Sequence, residues 1–497
     1  MIKKNILSID IGTTSIRGIL YDESGATLGS TSIHTPLVFH GSFIEQLPSV
    51  YIDALIRICK TCTAFGQVDA ITLTAYRSAP VLVDESGNPL TNFIMWQDTR
   101  NEEICNRLSN YSDVIHDVTG ARINTVFTGS KITWWKKHQP EIFSKAYKAL
   151  IVPDFLMHYM TGVFATDYTY GSRTSLMNIR TLSWDPQMCD LFDVPMSILP
   201  PLIPQGSVYG YVKEEFAKLT GLSAGIPVIT AGGDQQCGAL GLGSLTESSL
   251  VINCGTGSFI IGLSEHVPEI CTCMICNVSA VREKYIIESN ILSAAAALNW
   301  LIRELTPDLW NNGDPDYDAF NQLAGSSPVG SNGVICVPLF QGCGTRDWNP
   351  TARASFSNIS LSTTRADMLR AMLEGIAAEI VQSILALPQP LQDGEVAFLG
   401  GGMTKSDLFN QILSDMSGKK LIRYEDPQAT AIGAFITASV TLGLYPDEAT
   451  AFRAVRKDTN MRTYTPNITN HTTYKMLVEQ AANIYQSLCG KRGGCNC

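Results

Sequence analysis

Asp10-Ile11-Gly12-Thr13-Thr14-Ser15 stands between two apolar runs, Asn5-Ile6-Leu7-Ser8-Ile9 and Ile16-Arg17-Gly18-Ile19-Leu20-Tyr21. Two short apolar runs around a glycine-hydroxyl turn predict a β-hairpin, continued past Glu23-Ser24-Gly25 by a third strand. Such a turn offers backbone N–H groups and hydroxyls in a concave row suited to an anion. Asp10 at its edge repels phosphate unless a divalent cation lies between them, and Mg2+ favours that combination of carboxylate, water and phosphate oxygens. A tight hairpin with no ligand is the plain alternative. The pattern comes back 243 residues on, about half the chain: Ser248-Ser249-Leu250-Val251-Ile252 leads into Asn253-Cys254-Gly255-Thr256-Gly257-Ser258, and Phe259-Ile260-Ile261-Gly262-Leu263 leads out. A hairpin of this kind opening each half implies two related domains facing each other across a cleft, able to hold a polyphosphate from both sides.

Length and composition agree with two domains. The chain has 497 residues, too many for one core, with 45% hydrophobic and 16% charged residues. A net charge of −10 without a basic block argues against nucleic acid or a membrane surface as partner. No apolar run reaches spanning length and the start turns polar too early for a signal peptide, so the expected location is cytoplasmic. Fourteen cysteines in a chain this long make no disulfide framework, and most sit singly in apolar context. The cluster at 271–276 (Cys271, Cys273, Cys276) has no second paired motif and no nearby histidine, which speaks against a zinc site. Cys495 and Cys497 end a glycine-rich stretch expected to be a disordered tail, 486–497.

Between the hairpins the decisive stretch is Thr230-Ala231-Gly232-Gly233-Asp234-Gln235-Gln236, entered from the buried-strand pattern Ile226-Pro227-Val228-Ile229. A carboxylate on a glycine platform at the end of a buried strand is rigidly held and can approach a ligand closely, which a general base requires. A helix N-cap is the plainer use of such an aspartate. Ala70–Thr74 reads as a strand ending at Tyr76-Arg77-Ser78, and 80–84 is expected to pair with it. Residues 129–160 and 175–195 read as mainly helical, and Glu288 to Trp300 as a helix of small residues. The strand 396–399 runs into Gly400-Gly401-Gly402 and a helix through Phe409, a form suited to nucleotide on bare backbone. Alternating elements of this sort predict an α/β layered fold.

Taken in order, DIGTTS, MWQDTR, TDYTYGSRT, AGGDQQ, NCGTGS, LGGGMTKS and DPQATAIGA resemble the FGGY family of carbohydrate kinases from about residue 5 to about residue 455. The resemblance implies two actin-like (ribonuclease H-like) ATPase domains: 1–245, with the substrate site and base, and 246–485, with the nucleotide site. It gives Thr13, Thr14, Ser15 and Arg17 to the phosphates of ATP, Asp10 to Mg2+, and Thr256 to the phosphates from the second domain. Gly401, Gly402 and Ser406 would flank the adenosine, with Ala295 and Asn299 standing where glycerol-phosphorylating members have Gly and Gln. Asp234 matches the catalytic base and Gln235 a substrate ligand, with Arg77 and Trp96 in the pocket. Ser78 stands where the glycerol-specific members have Glu, and Val126 where they have Tyr. Both replacements are shorter and less polar, so the expected acceptor is a sugar or polyol larger than glycerol, unless a neighbouring residue supplies the missing hydrogen bonds. Glycerol itself is the alternative substrate. A non-catalytic actin-like sensor or chaperone is the alternative class, although such sensors carry a DNA-binding module ahead of the first hairpin and chaperones an added peptide-binding domain. A homodimer is left open.

Overall fold

In a computed structural model, which describes residues 4–269, 274–311, 313–345, 347–426, 428–457 and 459–489, Ile6–Ile11 and Ser15–Tyr21 pair antiparallel around the predicted turn. The Gly12 N–H donates to the Ser15 carbonyl at 2.9 Å and closes it. Thr27–His34 extends the meander. On the other side Ala70–Ala75 and Pro227–Gly233 join in parallel, and Val208–Tyr211 closes the edge. The strands Ile6–Ile11 and Ala70–Ala75 are almost wholly buried, as strands covered on both faces must be.

The second half repeats this plan. Ser249–Cys254, Ser258–Ser264 and Tyr285–Ile291 form an antiparallel meander, and Val396–Gly400 and Lys420–Tyr424 add in parallel. Ile275–Val278 and Met461–Tyr464 are the extra outer strands. Each sheet therefore has a hairpin turn and a parallel pair of strand ends facing the same way.

Helix Asp234–Leu242 follows the parallel strand of the first sheet, and helix Ala429–Thr441 follows its counterpart in the second. These two helices cross backbone against backbone between the sheets. A Cβ at Gly241 would collide with the Ala429 carbonyl, and one at Gly433 with the Cys237 carbonyl. Around the crossing, the Ser8 hydroxyl donates to the Ala431 carbonyl at 3.0 Å. Arg456 donates to the Gly241 carbonyl at 2.7 and 3.1 Å, placing a cation at the C-terminal end of the first helix, where the dipole favours it.

Several local expectations need correction. Pro80–Val83 pairs with Lys148–Ile151, not with Ala70–Ala75, because the latter already has parallel neighbours on both sides. The helical reading of 129–160 is interrupted by that strand. Of 175–195 only Pro186–Phe192 and a short 3-10 turn at Met196–Ile198 just beyond it are helical, beside a small hairpin. The expected helix from Glu288 is instead the strand Tyr285–Ile291, whose residues Ile286 and Ile287 are β-branched, and the helix begins at Ala295. The last helix runs to Cys489, so the first four residues of the expected tail are helical. Cys271, Cys273, Cys495 and Cys497 lie outside the described residues, whereas Cys276 is buried in a strand. No described helix is long and apolar enough to cross a membrane.

Gly433→Ala is expected to lower the stability of the protein by about 1–3 kcal/mol, the usual cost of forcing a methyl into a filled contact. A denaturant titration with an unchanged midpoint would show that the helices can separate without loss.

Candidate active site

Asp234 owes its position to a backbone irregularity. The register between Pro227–Gly233 and Ala70–Ala75 slips between Thr230 and Gly232, and Gly232 takes φ +109°, a region that other residues avoid. The slipped turn is held by the motif at 166–174. The Tyr170 hydroxyl and the Thr74 hydroxyl each donate to the Gly232 carbonyl at 2.8 Å, and the Gly233 N–H donates to the Thr169 hydroxyl at 2.9 Å. Asp167 in turn caps the turn of helix at 168–171 and accepts from the Thr230 hydroxyl.

Gly233, not Asp234, is the cap residue of helix Asp234–Leu242, so the carboxylate is free of the capping role. Its Oδ1 accepts from the Gln235 N–H at 2.7 Å and lies 3.7 Å from Arg77 Nε. Burial raises its pKa, against the pull of Arg77, and the neighbouring Glu288 adds to the rise. A carboxyl raised toward neutrality is a better proton acceptor than a solvated one. Asp234 and Gln235 line a cleft of about 240 Å³ together with Asn253, Gly400, Gly401 and Thr430 of the other half.

Asp10 stands at the end of the first strand, with its pKa raised to about 7 by burial and by the charge of Asp234, against Arg17. Two carboxylates that repel each other beside a turn rich in N–H and hydroxyl groups fit a divalent cation better than they fit a bare phosphate. Thr13, Thr14 and Ser15 form the adjoining turn, where the Thr13 hydroxyl accepts from the Trp96 indole at 3.2 Å. Arg17 is exposed on the second strand.

In the second half, Thr256 is exposed at the hairpin tip, and its carbonyl accepts from the N–H groups of Ala294 and Ala296 at 2.9 and 3.1 Å. The tip is thereby seated on the first turn of helix Ala295–Leu305. Asn299 accepts from the Tyr317 hydroxyl at 2.8 Å, and Ser406 donates to Asn321 at 2.7 Å. Tyr317 and Asn321 share one helix, which brings Asn299 and Ser406 to the same corner. Ser406 also caps helix Asp407–Ser417. Its hydroxyl is thus engaged within the protein. Gly401 has φ +88°, and a Cβ at Gly402 would meet open space.

The sequence motifs left several groups without a role. Glu288, fully buried on the second sheet, reaches across to Arg77 at 2.9 Å and lies 3.7 Å from Arg173. Arg173 stacks over Phe127 at 4.7 Å. Gln236 accepts from Arg77 at 3.2 Å. Lys131, buried on helix Thr128–His138, donates to the carbonyls of Ser78 at 2.9 Å, Met95 at 2.8 Å and Val126 at 3.1 Å. Burial pulls its pKa down to about 7, with Asp98 opposing. Ser78, held at φ +68°, donates to the Arg173 carbonyl at 3.2 Å. Val126 packs with Phe127 and with Ile275 of the second sheet. Lys131 thus ties together the three segments that carry Arg77 and Ser78, Trp96, and Val126. Only Arg173 and Gln236, lying within quoted motifs, could have been picked out from the sequence. Glu288 and Lys131 come from segments whose partners are far away along the chain.

The N-terminal domain model of the FGGY family of carbohydrate kinases matches residues 5–241, and the C-terminal domain model matches 250–442. The chain is 28% identical to a xylulose kinase of Staphylococcus epidermidis over 98% of its own length and 97% of that protein. It is 30% identical to a glycerol kinase of Thermococcus kodakarensis over 90% of each. A gluconate kinase structure from Lactobacillus acidophilus superposes with a TM-score of 0.90 over 99% of both chains at 24% identity. The fold is the two-domain actin-like one.

Lys131→Met is expected to loosen its three tethered segments. Amide hydrogen exchange at 76–80, 95–98 and 124–128 should quicken by about tenfold or more, a local opening free energy lower by about 1.4 kcal/mol. Unchanged exchange there would mean that the ammonium is not what holds these segments.

Proposed function

The chain belongs to the FGGY family of carbohydrate kinases, and we propose that its acceptor is a ketose or polyol larger than glycerol, deprotonated by Asp234. Membership makes it a phosphotransferase that uses ATP and an alcohol acceptor. The observation that carries the residue assignment is the placement of Asp234 between the cleft and Arg77. One side of this carboxylate opens on the cleft with Asn253, Gly400 and Gly401, and the other meets Arg77.

In this reading the hydroxyls and N–H groups of Thr13, Thr14 and Ser15, with Arg17, hold the phosphates from the first domain, and Thr256 holds them from the second. Gly401 and Gly402 offer bare backbone to the adenosine, beside Ala295 and Asn299. Ser406 fixes the turn through its cap. Asp10 would hold Mg2+, which supplies charge neutralisation along the phosphates. The sugar lies on the Arg77 and Trp96 side of Asp234, with Gln235 beside the carboxylate as a further ligand for its hydroxyls. Asp234 accepts the proton of the attacking hydroxyl as the phosphoryl group moves, while Arg77 keeps the carboxylate oriented. Positioning and charge balance do most of the work in such a transfer. Closure of the two halves keeps water from competing as acceptor.

Acceptor size rests on Ser78 and Val126. Neither side chain reaches a small polyol as Glu and Tyr would, and relatives named as xylulose kinases match nearly the whole chain. Glycerol is the second reading, since relatives named as glycerol kinases match at 30% identity.

Asp234→Asn keeps the shape but not the basicity, and kcat should fall by roughly 10²–10⁴ while ATP binding, measured by calorimetry, persists. Turnover near the wild-type rate would remove Asp234 from the mechanism. In a coupled ADP-release assay, five- and six-carbon ketoses or polyols should exceed glycerol in kcat/KM. Glycerol ranking first would overturn the size argument and leave the family assignment standing.

A further inference from the structure

Among the described residues, Glu288 is the one acidic side chain that the second sheet places at 0% exposure against two arginines of the first domain. It stands two residues along its strand from Ile286, on the same face. Ile286 belongs to the apolar cluster of Ala239 and Leu242, and Arg77, which pairs with Glu288, also faces Asp234 at the start of that helix. Burial pushes its pKa up, but Arg77 and Arg173 more than offset this, and the group stays below the usual carboxylate range. It is a fixed charge.

Its bonding is unfinished. Oε1 is taken by Arg77, but Oε2, the Arg173 Nε and the Asn277 Nδ2 have no hydrogen bond. Asn277 comes close enough to help hold the Glu288 carboxyl down, without bonding geometry. Arg173 Nη1 reaches the side-chain amide oxygen of Asn277, Oδ1, only at 3.4 Å. Oε2 has only the 3.7 Å ion pair with Arg173, and these three atoms lie together beside Arg77 and Asp234, which leaves hydrogen bonds there for a ligand to complete.

The charges identify that ligand's class. Arg77 and Arg173 face Asp234 and Glu288, two cations against two anions. Among these groups no positive charge is left over for a carboxylate on the substrate. A chain of hydroxyls suits the site, since each can donate to Oε2 or accept from Nε or Nδ2. We propose that Glu288 is a specificity-determining residue of the sugar site, supplied by the second domain. It binds hydroxyls remote from the reacting one and commits the site to a neutral sugar over a sugar acid. The inference rests on the kinase reading above.

Glu288→Gln keeps the shape and removes the charge. For a neutral ketose, kcat/KM should fall by roughly 10- to 100-fold, the weight of one charged hydrogen bond, with the loss in the sugar KM and not in the ATP KM. The ratio of activity on the matching aldonate to activity on the ketose should rise about tenfold, as an arginine is freed. Glu288→Asp keeps the charge, so its sugar KM should rise while that ratio stays at the wild-type value. If Glu288→Gln fails to fold, the Asp variant carries the test, and an unchanged sugar KM in it overturns the proposal. An unchanged sugar KM or an unchanged aldonate ratio in Glu288→Gln overturns it too, as does a shift in the ATP KM of equal size, which marks a plain interdomain strut. A wild-type preference for the aldonate refutes the inference but not the kinase assignment. Should no sugar in the panel be phosphorylated, the acceptor reading fails. Calorimetric binding of ketose and aldonate to the wild type and to Glu288→Gln then decides the role of Glu288 by the same ratio.

Discussion

The contact between helices Asp234–Leu242 and Ala429–Thr441 governs the rest of the molecule. Side chains would hold two such helices about 8–10 Å apart. Here Gly241 and Gly433 let backbone meet backbone. The first helix begins with the proposed base, so the element that carries the chemistry is also the element that joins the halves. The strand before it belongs to the first sheet and its packing partner to the second. Asp234 is therefore fixed relative to both, and the cleft with Asn253 and Gly400 opens directly from it.

Around that fixed point the chain concentrates charge where water is scarce. Asp10, Asp234 and Glu288 face Arg17, Arg77 and Arg173, and each pKa departure traces to burial set against a named opposite charge. Arg173, with a pKa pulled down to about 10 by burial and by Arg77, shows how much this crowding costs. Folding alone gains little from buried ion pairs. Their presence here is better understood as preorganisation, with charges held in place before the reacting groups arrive.

How much of this is legible in the sequence depends on distance along the chain. The hairpins, the glycine turn and the aspartate after it are local: a strand, a turn and a helix start within a dozen residues, each with its own composition. The repeat at Asn253 reveals the second domain for the same reason. What stays hidden is tertiary. Pro80–Val83 looks like a partner for the strand just before it, yet that strand's edges are claimed by Ile6–Ile11 and Pro227–Gly233. Glu288 reads as helical because the alanine run after it extends the pattern backwards, and its meaning lies in two arginines more than a hundred residues away. The adenosine role of Ser406 comes from the resemblance, and its capping of helix Asp407–Ser417 comes from the fold.

The tether at Lys131 bears on how such a pocket can change over generations. All three of its acceptors are backbone carbonyls, at Ser78, Met95 and Val126. A carbonyl is present whatever the side chain, so the frame of the proposed pocket does not depend on which side chains stand at 78, 95 and 126. Substitutions at 126 can alter the wall while the frame persists. At 78 the freedom is narrower, because φ +68° admits chiefly glycine and small polar residues. The wall at 126 is thus separable from the three carbonyls that hold its backbone.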